Sequence, residues 1–440
     1  MVRLAGSSKL LRAMNSSTSF ALLLDRGPLT RSELRELTGL AMPTVSDVLR
    51  RLTEAGLAVV VGHVSAGRGP NAEVYAANPT AGHAAAISVE ETSQTSRPLL
   101  TAGLCALDGT NLSRTDTTVD LERTDPVVAV TDIVDHLCRQ AGLDTDQLRH
   151  IQLGVPGSYD RESDTIRHID IPGFDQPGLV STLASRLRVD VAVENDVNLA
   201  AIAERSHGKA ADVDSFALLW FGEGLGLAID LNGSLLRGAR GGAGEIGYLP
   251  LGLGRGPGVP DLQDLSGGRA VLALGATYGI DESTPGAVVA AAVAAIERGG
   301  TTNGMRGSHA DDTRPATLDP AAATAFIEAL AARMAIGLAA VAVVLDPLLV
   351  VLAGEVARAG GQRLRDAAAA ALHDATSLTT PVEVTGVAEN PVLLGALQSS
   401  LRAVRTELVE SLQDATGATR DDPATNSKRA AARSDDEEGL

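Results

Sequence analysis

Between Pro28 and Val61 the apolar residues keep a helical period through two short segments and then run together as a strand, which restricts the start of the chain to very few folds. Thr30 can cap the first helix, with Glu33 completing a capping box, and Leu34 and Leu37 supply its buried face. Gly39 ends it. In the second helix Val45, Val48, Leu49 and Leu52 fall at i, i+3, i+4 and i+7, leaving Thr44, Ser46, Asp47, Arg50 and Arg51 facing outward. Pro43 fits because it falls in the first turn, where its missing N–H has no helical partner. Gly56 stops this helix before a strand, Leu57–Val61, and a second strand, Glu73–Ala76, closes a hairpin around Gly67, Arg68, Gly69 and Pro70. With residues 1–27 as a leading helix, the order predicts a winged helix-turn-helix over residues 1–78. The outward hydroxyls, carboxylate and arginines suit base edges and phosphates in a major groove, and Arg68 suits a narrow minor groove.

Charge agrees. Residues 1–80 carry nine Lys/Arg against six Asp/Glu, whereas the remainder carries 28 against 49, so only the first eighty residues can approach duplex DNA without repulsion. Aromatic residues at 2 % argue against a single-strand surface built on base stacking. Cys105 and Cys138 are too few for a disulfide framework or a four-cysteine metal site, and read as reduced, buried thiols. No signal-peptide pattern opens the chain. The apolar stretch from Met334 to Leu352 is broken by Asp346-Pro347 and reads as a buried helix followed by a buried strand. A soluble cytoplasmic protein without membrane contact is expected.

Beyond Asn78-Pro79-Thr80, read as a hinge, strand and helix signals alternate. Strands are expected at His83–Val89, Ala102–Leu107, Ile151–Val155 and Val191–Glu194, with helices at Asp125–Gln140 and Val197–His207. A second unit begins near Phe216 with strands Phe216–Trp220 and Gly226–Leu231. It continues with a glycine-rich loop, helices Gly286–Arg298 and Asp319–Leu345, and strands Leu348–Leu352 and Val382–Gly386. Two successive α/β units suggest a bilobal body, with lobes at 79–208 and 209–408 and the last helix returning to the first lobe. Residues 299–315 read as an inserted loop, and 409–440 as a disordered, charged tail.

Three stretches of this body resemble the ROK family of sugar kinases and their repressor relatives. They are Leu218–Pro250, with its spaced glycines; Glu194-Asn195-Asp196-Val197-Asn198-Leu199-Ala200, similar to the family's sugar-site motif; and Leu348–Gly354, with a late Leu393-Leu394-Gly395-Ala396. With Gly154-Val155-Pro156-Gly157 and Ile171-Pro172-Gly173-Phe174 the likeness runs from about residue 83 to about 405. It implies an α/β, actin/hexokinase-like bilobal body, a duplicated ribonuclease H-like fold, behind the winged helix of the repressor branch. By resemblance Asn195, Asp196 and Glu245 would hold sugar hydroxyls, with Asp196 in the place of the kinases' catalytic base. Tyr248 and Gln263 would stand where the family has a histidine and a sugar-binding glutamate. Gly222, Gly224 and Gly226 would be the remnant of a phosphate loop, although such a run is also a common strand-to-strand turn.

Two family features are broken. The kinases open their body with an Asp-x-Gly-Gly-Thr phosphate loop, and the matching place here reads Ile87-Ser88-Val89-Glu90-Glu91-Thr92. A glutamate about 5 Å from a phosphate charge costs on the order of 3 kcal/mol at an effective dielectric near 20. The family's zinc motif is also missing: Tyr248 replaces the histidine, and Gly254–Leu265 contains no cysteine. No zinc and no ATP are therefore expected. The sequence predicts a DNA-binding regulator, a repressor of carbohydrate-related genes. Its inactive kinase-like body would bind a sugar or sugar derivative, and a homodimer or homotetramer would read an imperfect palindrome. A working sugar kinase that also binds DNA, and a regulator without any small-molecule ligand, stay open as alternatives.

Overall fold

A computed structural model describes residues 7–64, 71–91, 97–169, 171–252, 258–301 and 318–414. The amino-terminal module comprises α1 (Ser7–Arg26), β1 (Leu29–Thr30), α2 (Arg31–Thr38), α3 (Met42–Glu54), β2 (Ala58–Val64) and β3 (Ala72–Ala77). Its strands form an antiparallel sheet in the order β1-β3-β2, the layout of a winged helix. The capping box is present: Thr30 Oγ1 accepts from the Glu33 N–H at 3.2 Å, and the Glu33 carboxylate accepts from the Thr30 N–H at 2.7 Å. Gly39 ends α2 at φ 69°, a left-handed conformation that favours glycine. Leu34 is fully buried, but Leu37 is 48 % exposed, contrary to expectation. The helix is only eight residues long, and Phe20 and Leu23 of α1 supply the apolar contacts instead. The expected wing tip, with Arg68, lies outside the described residues.

The first lobe comprises β4 (His83–Glu90), β5 (Leu99–Ala106), β6 (Asn111–Thr118), α4 (Pro126–Ala141), β7 (Leu148–Val155), β8 (Ser158–Asp160), β9 (Thr165–Arg167), α5 (Leu179–Leu187), β10 (Asp190–Asn195) and α6 (Asp196–His207). The second comprises β11 (Ser215–Phe221), β12 (Leu225–Leu231), β13 (Ser234–Leu235), α7 (Leu262–Ser266), α8 (Gly268–Thr277), α9 (Pro285–Thr301), α10 (Pro320–Leu345), β14 (Val350–Ala353), α11 (Gly354–Thr376) and β15 (Val382–Val384). A final helix, α12, spans Pro391–Asp414. The five-stranded sheets run β10-β7-β4-β5-β6 and β13-β12-β11-β14-β15. Each is a meander of three antiparallel strands whose first strand is then flanked by two parallel ones. This repeated topology is the duplicated ribonuclease H-like plan.

Helices α4 and α5 cover one face of the first sheet, and α8 to α11 cover one face of the second. Between the sheets lie α6 and α12. Val197, Ala200 and Ala201 of α6 pack on Phe216, Leu218 and Ala228 of the second sheet, while Leu199 meets Ala86, Val392, Leu393 and Ala396. At the α6–α12 crossing a Cβ on Gly395 would stand 1.8 Å from the Leu199 carbonyl oxygen, so only glycine fits. Glu204 of α6, fully buried, accepts from the Lys209 N–H, the Gly386 N–H and the Thr385 hydroxyl, tying the first lobe to the loop after β15.

Several expected boundaries move. Asn78 does not open a loose hinge: it caps a 3-10 turn, Pro79–Ala81, and its side-chain amide donates to the Gly56 carbonyl at 2.7 Å. One core then runs across the junction, joining Phe20, Leu23, Val45 and Leu49 to Ala84, Cys105, Val404 and Leu408. Tail residues 409–414 are helical, because α12 continues there and Val409 packs on that core. Of the residues read as an inserted loop, 299–301 are helical, since α9 reaches Thr301, and 302–315 lie outside the described residues, as do 415–440 of the tail. Among the elements that escaped the sequence reading are β6, exposed along much of its length; the short strands β8, β9 and β13; the short α5, α7 and α8; and α11, whose glycines interrupt its helical pattern. The helix α10 is long and apolar enough to cross a membrane, yet Phe326, Leu330, Met334 and Leu338 bury it in the second lobe, and β14 follows as expected.

Candidate effector cleft and nucleic-acid interface

The sequence motif Glu194–Asn198 straddles the end of β10 and the start of α6. Asn195 is the N-cap: its Oδ1 accepts from the Val197 and Asn198 N–H groups, and its Nδ2 donates to the Gly157 carbonyl at 3.3 Å. The predicted sugar ligand thus also fixes the helix start. Asp196 follows at the first helical position, accepting from the Val197 N–H at 2.8 Å. Burial pushes its carboxyl up to about 7, the charges of Glu90 and Glu245 add to this, and the Val197 amide opposes it. Glu194 accepts from Asn198 Nδ2 and pairs at 2.5 Å with Arg237, which comes from the other lobe. The Asn198 Oδ1 beside them is buried without a hydrogen bond.

Glu245 is half-buried, and its carboxyl is raised by burial while the nearby His168 acts in the opposite direction. Tyr248 is 60 % exposed with its ring centroid 5.3 Å from that of His168. His168 is a residue the sequence reading missed; only its proximity in space marks it. Gln263 is turned to another task than its family place implies. Its Oε1 accepts from the Leu225 N–H and its Nε2 donates to the Glu223 carbonyl, both at 2.9 Å, so it braces the β11–β12 turn.

That turn contains Gly222 and Gly224, with Gly226 just beyond it in β12, and its donors are partly consumed. The Gly222 N–H bonds to the Gly224 carbonyl, and the first amide of α8, Gly268, donates to the Glu223 carbonyl. A Cβ on Gly226 would meet Val197 Cγ2 at 2.5 Å, so close packing of β12 on α6 accounts for this glycine. Ser88 is buried at the end of β4, with its hydroxyl 3.4 Å from the Glu90 carboxylate. Glu223, in the glycine turn, and Glu355, on the first turn of α11, repel each other, and Arg358 lies near both Glu355 and Glu90. A carboxylate inside a glycine run was the available signal for Glu223; Glu355 and Arg358 gave none.

The donor set does not fit the zinc of the resemblance. Tyr248 occupies the histidine place, the only two cysteines lie buried in the first lobe, and no three His, Cys, Asp or Glu side chains are grouped for a metal among the described residues.

On α3, Val45, Val48, Leu49 and Leu52 are buried as expected, Arg50 is exposed, and Thr44, Ser46, Asp47 and Arg51 are half-buried. Asp47 organises the face: Arg50 reaches it at 2.7 Å and Arg51 at 3.2 Å, while Arg50 also pairs with Glu54 at 2.7 Å. Arg50, more than any other neighbour, holds the Asp47 carboxyl below its usual range. The Arg51 Nη2 is buried and unpaired.

A model of the ROK family matches residues 100–398. The xylose repressor of Bacillus subtilis is 25 % identical over 251 residues, 55 % of this chain and 61 % of that protein. The transcriptional dual regulator NagC of Escherichia coli is 26 % identical over 252 residues, 56 % of this chain and 60 % of that protein. A beta-glucoside kinase of Klebsiella pneumoniae is 41 % identical, but over only 100 residues, 34 % of its length. The chain therefore spans about three-fifths of the curated regulators it matches. Among solved structures, a ROK transcriptional regulator homologous to the E. coli MLC protein covers 92 % of this chain and 99 % of its own at TM-score 0.67 and 18 % identity, a likeness of fold. A ROK hexokinase of Thermus thermophilus covers 74 % of this chain and 99 % of its own, at TM-score 0.56 and 24 % identity.

Proposed function

Because the chain belongs to the ROK family, we propose that it is a DNA-binding transcriptional repressor of carbohydrate-related genes whose kinase-like body binds a sugar-type effector. The observation that carries this reading is the shared core: the helix bearing Arg50 and Arg51 and the lobe bearing Asn195 and Asp196 are packed through one element, α12. An effector between the lobes would grip Asp196 and Glu245 and favour one closure state. Since α6 begins at Asp196 and crosses α12 at Gly395, closure would reposition α12 and, through Phe20 and Leu23, the reading head. Derepression then requires the effector to prefer the closure state that binds DNA less well.

Arg50 and Arg51 would exchange Asp47 and Glu54 for phosphates and base edges in the major groove, with Thr44 and Ser46 beside them. Arg68, outside the described residues, would enter the minor groove. Two copies related by a two-fold axis would read an imperfect palindrome, and the exposed apolar stripe Ile336, Val343, Val344 and Leu348 offers a surface for such pairing. Selection of bound fragments from genomic DNA tests the reading. We expect a palindromic site, weaker binding by Arg50→Ala and Arg51→Ala, and a salt slope reduced by about one for each arginine lost from a phosphate. Equal affinity for scrambled duplexes would refute it.

Kinase chemistry is proposed to be lost, since Glu90 and Glu91 replace loop glycines and the β11–β12 turn has bonded several of its own amides. One observation favours the rival enzyme: an Asp196 carboxyl at about 7 is poised to take a proton from an attacking hydroxyl. Sugar phosphorylation with ATP and Mg that vanishes in Asp196→Asn would establish the rival.

A further inference from the structure

We propose that the inter-lobe cleft admits an uncharged or amine-bearing polyol and rejects its phosphate ester, so that the effector of this chain carries no phosphate. This rests on the effector reading above and adds the charge class of the ligand.

The register of the first sheet sets half of the arrangement. Asn195 pairs with Val155 and Ser88 with Gly154, so the carboxyl ends of β10 and β4 flank that of β7. Asp196 follows the first of these strands and Glu90 closes the second, which places them about 10 Å apart by strand spacing. They sense each other's charge, and Asp196 also senses Glu245. The second lobe adds Glu223 and Glu355 at the glycine turn, where a Cβ on Gly222 would stand 3.7 Å from Glu355 Cγ. Five carboxyl groups from the two lobes are thus linked by their charges, with Arg358 near both Glu355 and Glu90.

Among the described residues, the cations that these carboxyl groups feel or adjoin are few and already engaged. Arg358 donates to the Ala388 carbonyl at 2.8 Å, and Arg237 is held by Glu194. His168 lies near Glu245. A phosphate dianion is held by arginines, lysines or free N–H groups. In this cleft the Gly222, Leu225 and Gly268 amides already have acceptors within the protein. Sugar hydroxyls and ammonium groups, by contrast, donate to carboxylates. The buried, unpaired Asn198 Oδ1 is a further acceptor at the same helix start.

Isothermal titration of the full chain with matched probes tests this: glucose, xylose, N-acetylglucosamine and glucosamine, each against its terminal phosphate ester. We expect at least one parent sugar to bind and its ester to bind at least 100-fold more weakly. Glu90→Gln and Glu355→Gln, made separately so that one misfolded variant does not decide the matter, should each narrow that ratio at least threefold. An ester that binds as tightly as its parent, or ratios unmoved in two folded variants, overturns the inference while leaving the effector reading standing. Silence of every probe refutes the effector reading, and the inference falls with it.

Discussion

Replacing Gly395 by alanine separates two sources of helix stability that usually agree. Propensity alone favours the change by about 0.8–1 kcal/mol, because glycine is among the poorest interior helix residues. The tertiary structure reverses the sign. The new methyl would lie 1.8 Å from the Leu199 carbonyl oxygen and 2.6 Å from its carbon, and neither backbone atom can rotate away. Restoring an ordinary contact near 3.4 Å requires α6 and α12 to separate by well over an ångström. That would open the packing of Leu199 against Ala86, Val392 and Ala396. Overpacking costs about 1–3 kcal/mol where side chains can adjust; against two helix backbones the upper end applies, leaving a net loss of about 2 kcal/mol after the propensity gain. Thermal unfolding of the full chain should show a melting temperature lower by about 2 °C. Gly337→Ala is the control: it is another interior helix glycine, but its Cβ would meet only side chains, Leu262 at 3.1 Å and Leu219 at 3.7 Å, and a shift of a few tenths of an ångström by the first relieves it. If Gly395→Ala melts at or above the parent temperature, or no lower than Gly337→Ala, the α6–α12 crossing is wrong.

Asp196→Asn should change stability with pH. The folded-state carboxyl titrates near 7 against an ordinary value of 3.8, so the native protein holds a proton there that the unfolded chain has released. The parent therefore loses stability as pH rises from about 4 to 7, and the variant, spared this, should gain relative to it by a few kcal/mol at pH 8 with little difference near pH 4. Urea unfolding at both pH values checks this, and a pH-independent difference would contradict it. Glu204→Ala leaves the Lys209 and Gly386 amides and the Thr385 hydroxyl without their acceptor and should cost about 3–5 kcal/mol in the same assay; a loss below 1 kcal/mol would show that water satisfies them.

What the sequence determined by itself is whatever depends on neighbours along the chain. The capping box at Thr30, the apolar stripe of α3, the stop at Gly39 and the strands flanking Glu194 and Phe216 are set by period, caps and turn residues within one element, and each lies close to where the sequence places it. The family resemblance likewise needed only local motifs. The tertiary structure decided everything that depends on which surfaces meet. Leu37 is exposed because α1 completes the core in its place, the junction at Asn78 is tied because α12 spans it, and Gln263 braces a turn 38 residues earlier in the chain. The charge of the cleft is of this kind too. Glu90, Asp196, Glu223, Glu245 and Glu355 are scattered over 266 positions, and only the folding of two sheets around α6 and α12 brings their fields to bear on one space.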